Sequence, residues 1–148
     1  MRPLSRDQKQ YAALPYVILP DGEIEVCLVT SRETKRWVIP KGWPKSKLEP
    51  HKLARREARE EAGLLGEISS TPIGTYSYRK KLHIFAYVTC VVSVFPLRVE
   101  KHRLNWPERD ERDLSWFRLD DAARHVAEPE LAGLISALPA WLSARAAA

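Results

Sequence analysis

Three glutamates, Glu57, Glu60 and Glu61, fall at positions i, i+3 and i+4 of one stretch of the chain. On a helix these positions are neighbours, and like charges held this close destabilise it by about 0.2–0.5 kcal/mol per pair. A cation between them reverses that penalty. An all-oxygen ligand set selects a hard divalent ion such as Mg2+ or Mn2+. Such an ion beside a diphosphate neutralises its oxygens and lowers the pKa of a bound water. Transfer at phosphorus depends mostly on positioning and charge stabilisation. A solvated acidic face has the same spacing, so the carboxylates alone leave both readings open.

The elements that must position these groups are legible around them. Pro50 suits the first turn of a helix, where its missing N–H costs nothing. That helix is expected over 50–62, with Gly63 as a left-handed C-cap. Ala54, Ala58 and Ala62 form a stripe at spacing four that lets the helix lie close on a sheet. Residues 41–49, with Gly42 and Pro44, read as a loop in front of it. Strands are expected over 13–19, 25–30 and 37–39, with a turn at Pro20, Asp21 and Gly22. Further strands are expected over 75–78, 82–95 and 114–118, with Arg79, Lys80 and Lys81 as a turn between the first two. Asp120 is placed to N-cap a short helix over 122–127. A last helix follows Pro129, with Leu131, Leu134, Ile135 and Leu138 facing the core and Pro139 ending or kinking it. Strands interleaved with a few helices imply an α/β or α+β sandwich with a mixed sheet.

The 148 residues, 45% hydrophobic and 29% charged, suit one soluble domain, 1–148, with 1–10 as a loose lead-in. No apolar run approaches the roughly 20 residues of a membrane helix, and the first ten residues lack the apolar core of a signal peptide. The expected location is the cytoplasm, with no membrane partner. Cys27 and Cys90 sit in strand-like apolar runs and read as buried small hydrophobes. A net charge of +5 favours a polyanionic ligand.

The stretch from Gly42 to Leu64 resembles the Nudix box, Gly-x5-Glu-x7-Arg-Glu-hydrophobic-x-Glu-Glu-x-Gly-hydrophobic. Gly42 matches its first position, and Arg56, Glu57, Ala58, Glu60, Glu61, Gly63 and Leu64 match its second half in register. One position departs: the first box glutamate falls on Leu48, with Glu49 next to it. The resemblance implies a Nudix-type α/β/α sandwich and a metal-dependent hydrolase of phosphoanhydrides. It implies that Glu60 and Glu61 are direct metal ligands, and that Glu57 is a ligand or the group that orients or deprotonates water. A backbone carbonyl at Lys41 or Gly42 completes such a site. Arg56 is implied to be structural, normally paired with the first box glutamate, a role that Glu49 could assume here. A distant acid often assists, for which Glu108, Asp110 and Glu111 are the candidates. The sequence from Trp37 to Gly42, with Trp106-Pro-Glu108 and Trp116-Phe117, looks like the branch that cleaves diphosphoinositol and diadenosine polyphosphates.

A polyphosphorylated substrate needs cations around the metal site. Arg36, Lys41, Lys45 and Lys47 surround the box loop; Arg79, Lys80 and Lys81 form a second group, and Lys101, His102 and Arg103 a third. From these, Arg36, Lys41, Lys45, Arg79 and Lys81 are the expected substrate contacts. Trp43 could stack on an adenine or cover the helix N-terminus. The four histidines have no ligand spacing, although His83 is placed for a phosphate contact.

The preferred substrates are dinucleoside polyphosphates or diphosphoinositol polyphosphates. The alternatives are a nucleotide-sugar, a nucleoside triphosphate, an RNA 5′-end, or a ligand-sensing module without turnover. Nucleic acid is not the favoured partner, and a monomer or weak homodimer is expected.

Overall fold

The computed structural model describes residues 7–147. In chain order the elements are β1 (Gln8–Ile18), β2 (Ile24–Thr30), β3 (Trp37–Val38), β4 (Lys41–Gly42), α1 (Pro50–Ala62), β5 (Leu64–Ile68), β6 (Gly74–His83), β7 (Ala86–His102), β8 (Leu114–Arg118), α2 (Leu119–His125) and α3 (Pro129–Ala146). A 3-10 turn spans Arg109–Glu111.

All the strands join one mixed sheet, and β7 is its spine. It runs parallel to β1, with Gln8 opposite Cys90, and antiparallel to β5 and β6. The antiparallel pair β1–β2 puts Tyr16 opposite Val26. The outer partners of β2 are β3 and β8, while β4 pairs with β1 so that Tyr11 faces Gly42.

Strand alternation assigns two faces. Ala12, Leu14, Tyr16, Val26 and Leu28 point to one side and meet Ala122, Val126, Leu131, Ile135 and Leu138 of the α2–α3 layer. Ala13, Cys27, Val29, Phe95 and Leu97 point to the other and meet the Ala54, Ala58 and Ala62 stripe of α1. The fold is therefore the α/β/α sandwich expected. Each fully buried Leu in these layers contributes about 1.5–3 kcal/mol of transfer free energy. Cys27 and Cys90 are buried free thiols. Among the described residues, no helix is long and apolar enough to cross a membrane.

Several boundaries differ from expectation. Residues 8–10 are strand rather than lead-in, because β7 supplies their ladder partners and Gln10, 4% exposed, accepts a 2.6 Å hydrogen bond from the Tyr78 hydroxyl; residues 1–6 lie outside the described residues. Arg79, Lys80 and Lys81 continue β6 and pair with Thr89, Val88 and Tyr87, so the hairpin tip is at Ile84 and Phe85. β5 was not anticipated, and β7 runs past Pro96 to His102 because β1, β5 and β6 all pair with it. α2 begins at Leu119 with Arg118 as N-cap, which puts Asp120 inside the first turn, where its charge suits the helix dipole. Pro139 does not end α3. Trp141 and Leu142 pack against the core beyond it and hold the last turns in place.

Candidate active site

The helix that carries the glutamates is fixed at both ends. Pro50 stands in its first turn after an extended Glu49, and Gly63, at φ 69°, closes it by bonding to Ala58 O and Arg59 O. With the alanine stripe against the sheet, the adjacent side of α1 turns Glu57, Glu60 and Glu61 into a cleft of about 320 Å3. Lys41, Gly42, Trp43, Lys45, Tyr78, Lys80, Glu108 and Arg112 also line it.

Glu61 is the most enclosed of the three at 4% exposed. Its Oε2 accepts the backbone N–H of Lys41 at 3.3 Å, and its Oε1 lies 3.6 Å from Arg112 Nη2. Burial pushes its carboxyl up to about 9 against the pull of Arg112, helped by a hydrogen bond to Glu57. Glu57 is also raised, chiefly by burial. Burial lowers the Lys41 ammonium, with Glu61 opposing the shift. Glu60 is held on the other side by Arg56, whose Nε donates to Oε1 at 3.0 Å.

Two observations fit this site to a divalent cation. The donor set is all oxygen, and the buried Glu61 carboxyl shares with the half-buried Glu57 a space that disfavours ionising both. Gly42 lies directly against Glu57: a Cβ there would stand 2.6 Å from Glu57 Cδ. Among the described residues, however, no three acidic, imidazole or thiolate groups converge closely enough to hold an ion as they stand. Glu60 is engaged by Arg56 and Glu61 by Arg112. The Gly42 contact gives a first prediction. Gly42→Ala should displace the Glu57 carboxylate and lower turnover by about 10–100-fold. Its melting temperature should stay near wild type, because the atom that must yield is a side-chain tip; steady-state rates with a parallel melt check both.

Of the remaining sequence candidates, Lys45 lines the same cleft, and Arg36, Arg79 and Lys81 line an adjoining cavity of about 360 Å3. The two cavities share Ser31, Glu33, Lys41, Tyr78 and Lys80. Lys47, His83 and the group Lys101, His102 and Arg103 line neither. Trp43 is 41% exposed and lines the cleft. Of the distant acids, Glu108 is in the cleft, while Glu111 sits outside it and pairs with Arg32 at 2.9 Å; Asp110 does not line it. Glu49 does not take Arg56. As the N-cap residue it turns back to His51 at 3.5 Å and Lys52 at 3.9 Å, and Arg56 finds Glu60 one turn along instead.

The residue that sequence reasoning missed is Arg112. Its side chain, 11% exposed, bonds Glu108 at 2.8 Å and Thr30 O at 3.0 Å while facing Glu61. Its place in a run of mixed charges, Glu108 to Asp113, hid it; only the fold shows it as the largely enclosed member. Trp106 was missed as a brace: its Nε1 donates to Glu61 O at 3.1 Å, and Glu108 N donates to Glu60 O at 3.1 Å. These bonds tie the loop before β8 to the end of α1.

Known proteins share this sequence pattern and this fold. The chain is 26% identical over 141 residues to Nudix hydrolase 13, mitochondrial, of Arabidopsis thaliana, covering 79% of this chain and 70% of that protein. It is 31% identical over 107 residues to diphosphoinositol polyphosphate phosphohydrolase 3-alpha of Mus musculus, covering 70% and 61%. Across eight of its curated relatives it spans between 46% and 70% of their length. The structure of a C. elegans Ap4A hydrolase has the same fold, with a TM-score of 0.67 at 19% identity over 93% of this chain and 99% of that one. The family model described as NUDIX domain matches residues 9–138 and spans both the sandwich and the glutamate-bearing helix, so the chain belongs to the Nudix hydrolase family.

Proposed function

We propose that the protein is a divalent-metal-dependent pyrophosphohydrolase that cleaves a phosphoanhydride bond in a dinucleoside polyphosphate or a diphosphoinositol polyphosphate. One observation carries this reading: an acidic cleft and a basic, tyrosine-lined cavity are joined at Lys41. A substrate with a diphosphate at one end and a bulky, multiply charged remainder fits both at once. The remainder faces Arg36, Arg79 and Lys81 beside Tyr76, Tyr78 and Tyr87. The names of the mouse relative and of the C. elegans hydrolase support the same two substrate classes.

Glu60 and Glu61, with a backbone carbonyl of Lys41 or Gly42, are the groups that would hold Mg2+ or Mn2+. When bound, the ion supplies charge neutralisation on the anhydride oxygens and an activated water. The Glu57 carboxyl, whose proton affinity burial raises, is suited to accept a proton from the attacking water and to return it to the leaving phosphate. Lys41, Lys45 and Lys80 bind the non-bridging oxygens through charge-assisted hydrogen bonds. Glu108 steers Arg112 and thereby Glu61. The free, buried cysteines suit a reducing compartment, and the cytoplasm is the proposed location.

The second reading is a binding module without turnover. The engagement of Glu60 by Arg56 and of Glu61 by Arg112 favours it. A hydrolysis screen with identified products, run with Mg2+ across dinucleotides, nucleotide-sugars, nucleoside triphosphates and diphosphoinositol polyphosphates, separates the two. Fastest release from a dinucleotide or diphosphoinositol substrate is expected. Saturable binding of these compounds without any product would leave the module.

Metal addition gives a second prediction. At 100 times its dissociation constant, a ligand of the folded state alone stabilises it by about 2.7 kcal/mol. Mn2+ should therefore raise the melting temperature by roughly 5–10 °C at this chain length, and EDTA should reverse the shift. An unchanged melt in Mn2+ would remove the ion site.

A further inference from the structure

α1 carries a second charged stripe on its outer face. Lys52, Arg55, Arg56 and Arg59 fall at i, i+3, i+4 and i+7, which brings four cations to one side of the helix. They line a groove of about 460 Å3 with Leu48, Leu65, Gly66 and a single acid, Glu100. None of these residues lines the cleft that holds Glu57, Glu60 and Glu61.

The charges in this groove are poorly neutralised. Lys52 lies 3.9 Å from an exposed Glu49 carboxylate. Among the described residues, the side chains of Arg55 and Arg59 have no ion-pair partner. Leu48 contributes only apolar surface beside Arg56, which leaves Glu60 as the ionic partner of that guanidinium. Neighbouring like charges on a helix repel, and an anion seated among them removes the repulsion. Two or more arginine forks pointing at one concavity match the oxygens of a phosphate.

We propose that this groove is a phosphate-binding site, and that its occupant competes with Glu60 for Arg56. Among the described residues, Arg56 is the groove residue whose side chain bonds to a side chain of the cleft. A dianion that draws the guanidinium outward releases the Glu60 carboxylate toward the cleft. Phosphate binding stands by itself; only the use of the released Glu60 for a metal rests on the hydrolase reading above.

The test uses the metal-free protein and inorganic phosphate as the probe, titrated at constant ionic strength and followed by 1H–15N NMR. The amides of Arg55, Arg59, Leu65 and Gly66 should move saturably, together with the Nε–H signal of Arg56. In Arg55→Gln/Arg59→Gln the affinity read at these signals should fall about tenfold or more, with basal Mg2+-dependent turnover unchanged. Arg55→Lys/Arg59→Lys should keep part of the binding, which separates charge from damage to the helix. Shifts confined to Lys41 and Lys45 would overturn the proposal. So would a response matched by chloride, or an Arg56 Nε–H that stays fixed while the groove amides move. The NMR binding readouts need no turnover, so failure of the hydrolase reading leaves the groove measurable.

Discussion

Glu61→Gln should lower Mg2+-dependent turnover by about three orders of magnitude, the equivalent of several kcal/mol of lost charge stabilisation in the transition state. The protein should stay folded. Burial already pushes the carboxyl up to about 9, which favours its protonated form without metal, and a glutamine amide is the close neutral equivalent of that form. The amide still accepts the Lys41 N–H. What it cannot do is ionise when a cation arrives. The decisive pair of measurements is kcat against Mg2+ concentration and a melt without metal. Wild-type turnover in this variant would remove Glu61 from the site, whatever the substrate.

The second large effect is at Arg112, and it falls on stability first. Its guanidinium is nearly enclosed and touches Glu108, Thr30 O and Glu61. Arg112→Met leaves Glu108 and the Thr30 carbonyl without their partner. Breaking a fully buried ion pair from one side costs about 3–5 kcal/mol; this pair, 11% and 19% exposed, should lose up to that amount, a large part of the roughly 5–15 kcal/mol that keeps a domain folded. Urea denaturation should show the midpoint falling with an unchanged slope. Arg112→Lys should recover only part of the loss, since an ammonium cannot make the forked contacts to Glu108 and the carbonyl together. A double-mutant cycle with Glu108→Gln should show strong coupling. Independent, additive effects would mean that the network is not a unit.

The parts of this fold that were legible in the sequence are those in which local signals agree. Pro50, the alanine stripe and Gly63 each mark the same helix by a different physical cause, and the helix runs over Pro50–Ala62 as expected. Leu114–Arg118 likewise reads as a strand and is one. Other elements exist because of distant partners. β5 contains Gly66, which weakens any local strand signal, yet a Cβ there would lie 1.9 Å from Arg98 O, so the close approach of β7 requires a glycine. Arg79, Lys80 and Lys81 look like a turn because they are charged, but β7 supplies a partner for each. Within the candidate site, the three glutamates with Lys41 and Lys45 of the box loop were legible as motif, whereas Lys47 lies outside the cleft. Arg112 was not, because its importance lies in being enclosed, and enclosure is a property of the assembled layers. The Glu49–Arg56 pairing failed for a local reason: a carboxylate at the N-cap position finds His51 and Lys52 nearer than a guanidinium two turns away.

The long central strand β7 has a kinetic consequence. Its parallel ladder with β1 joins Gln8 to Cys90 and Tyr16 to Arg98, contacts that close a very large loop of chain. Loop-closure entropy must be lost before such contacts return any gain, which slows folding of topologies of this kind. The β1–β2 pair, the α1–β5 unit and the β6–β7 hairpin can form early from near neighbours, whereas the other edge of β1 must wait for β7 to be synthesised and docked. Until then that edge, with its apolar run from Ala12 to Tyr16, is unpaired, which makes the nascent chain, rather than the folded protein, the species most exposed to aggregation.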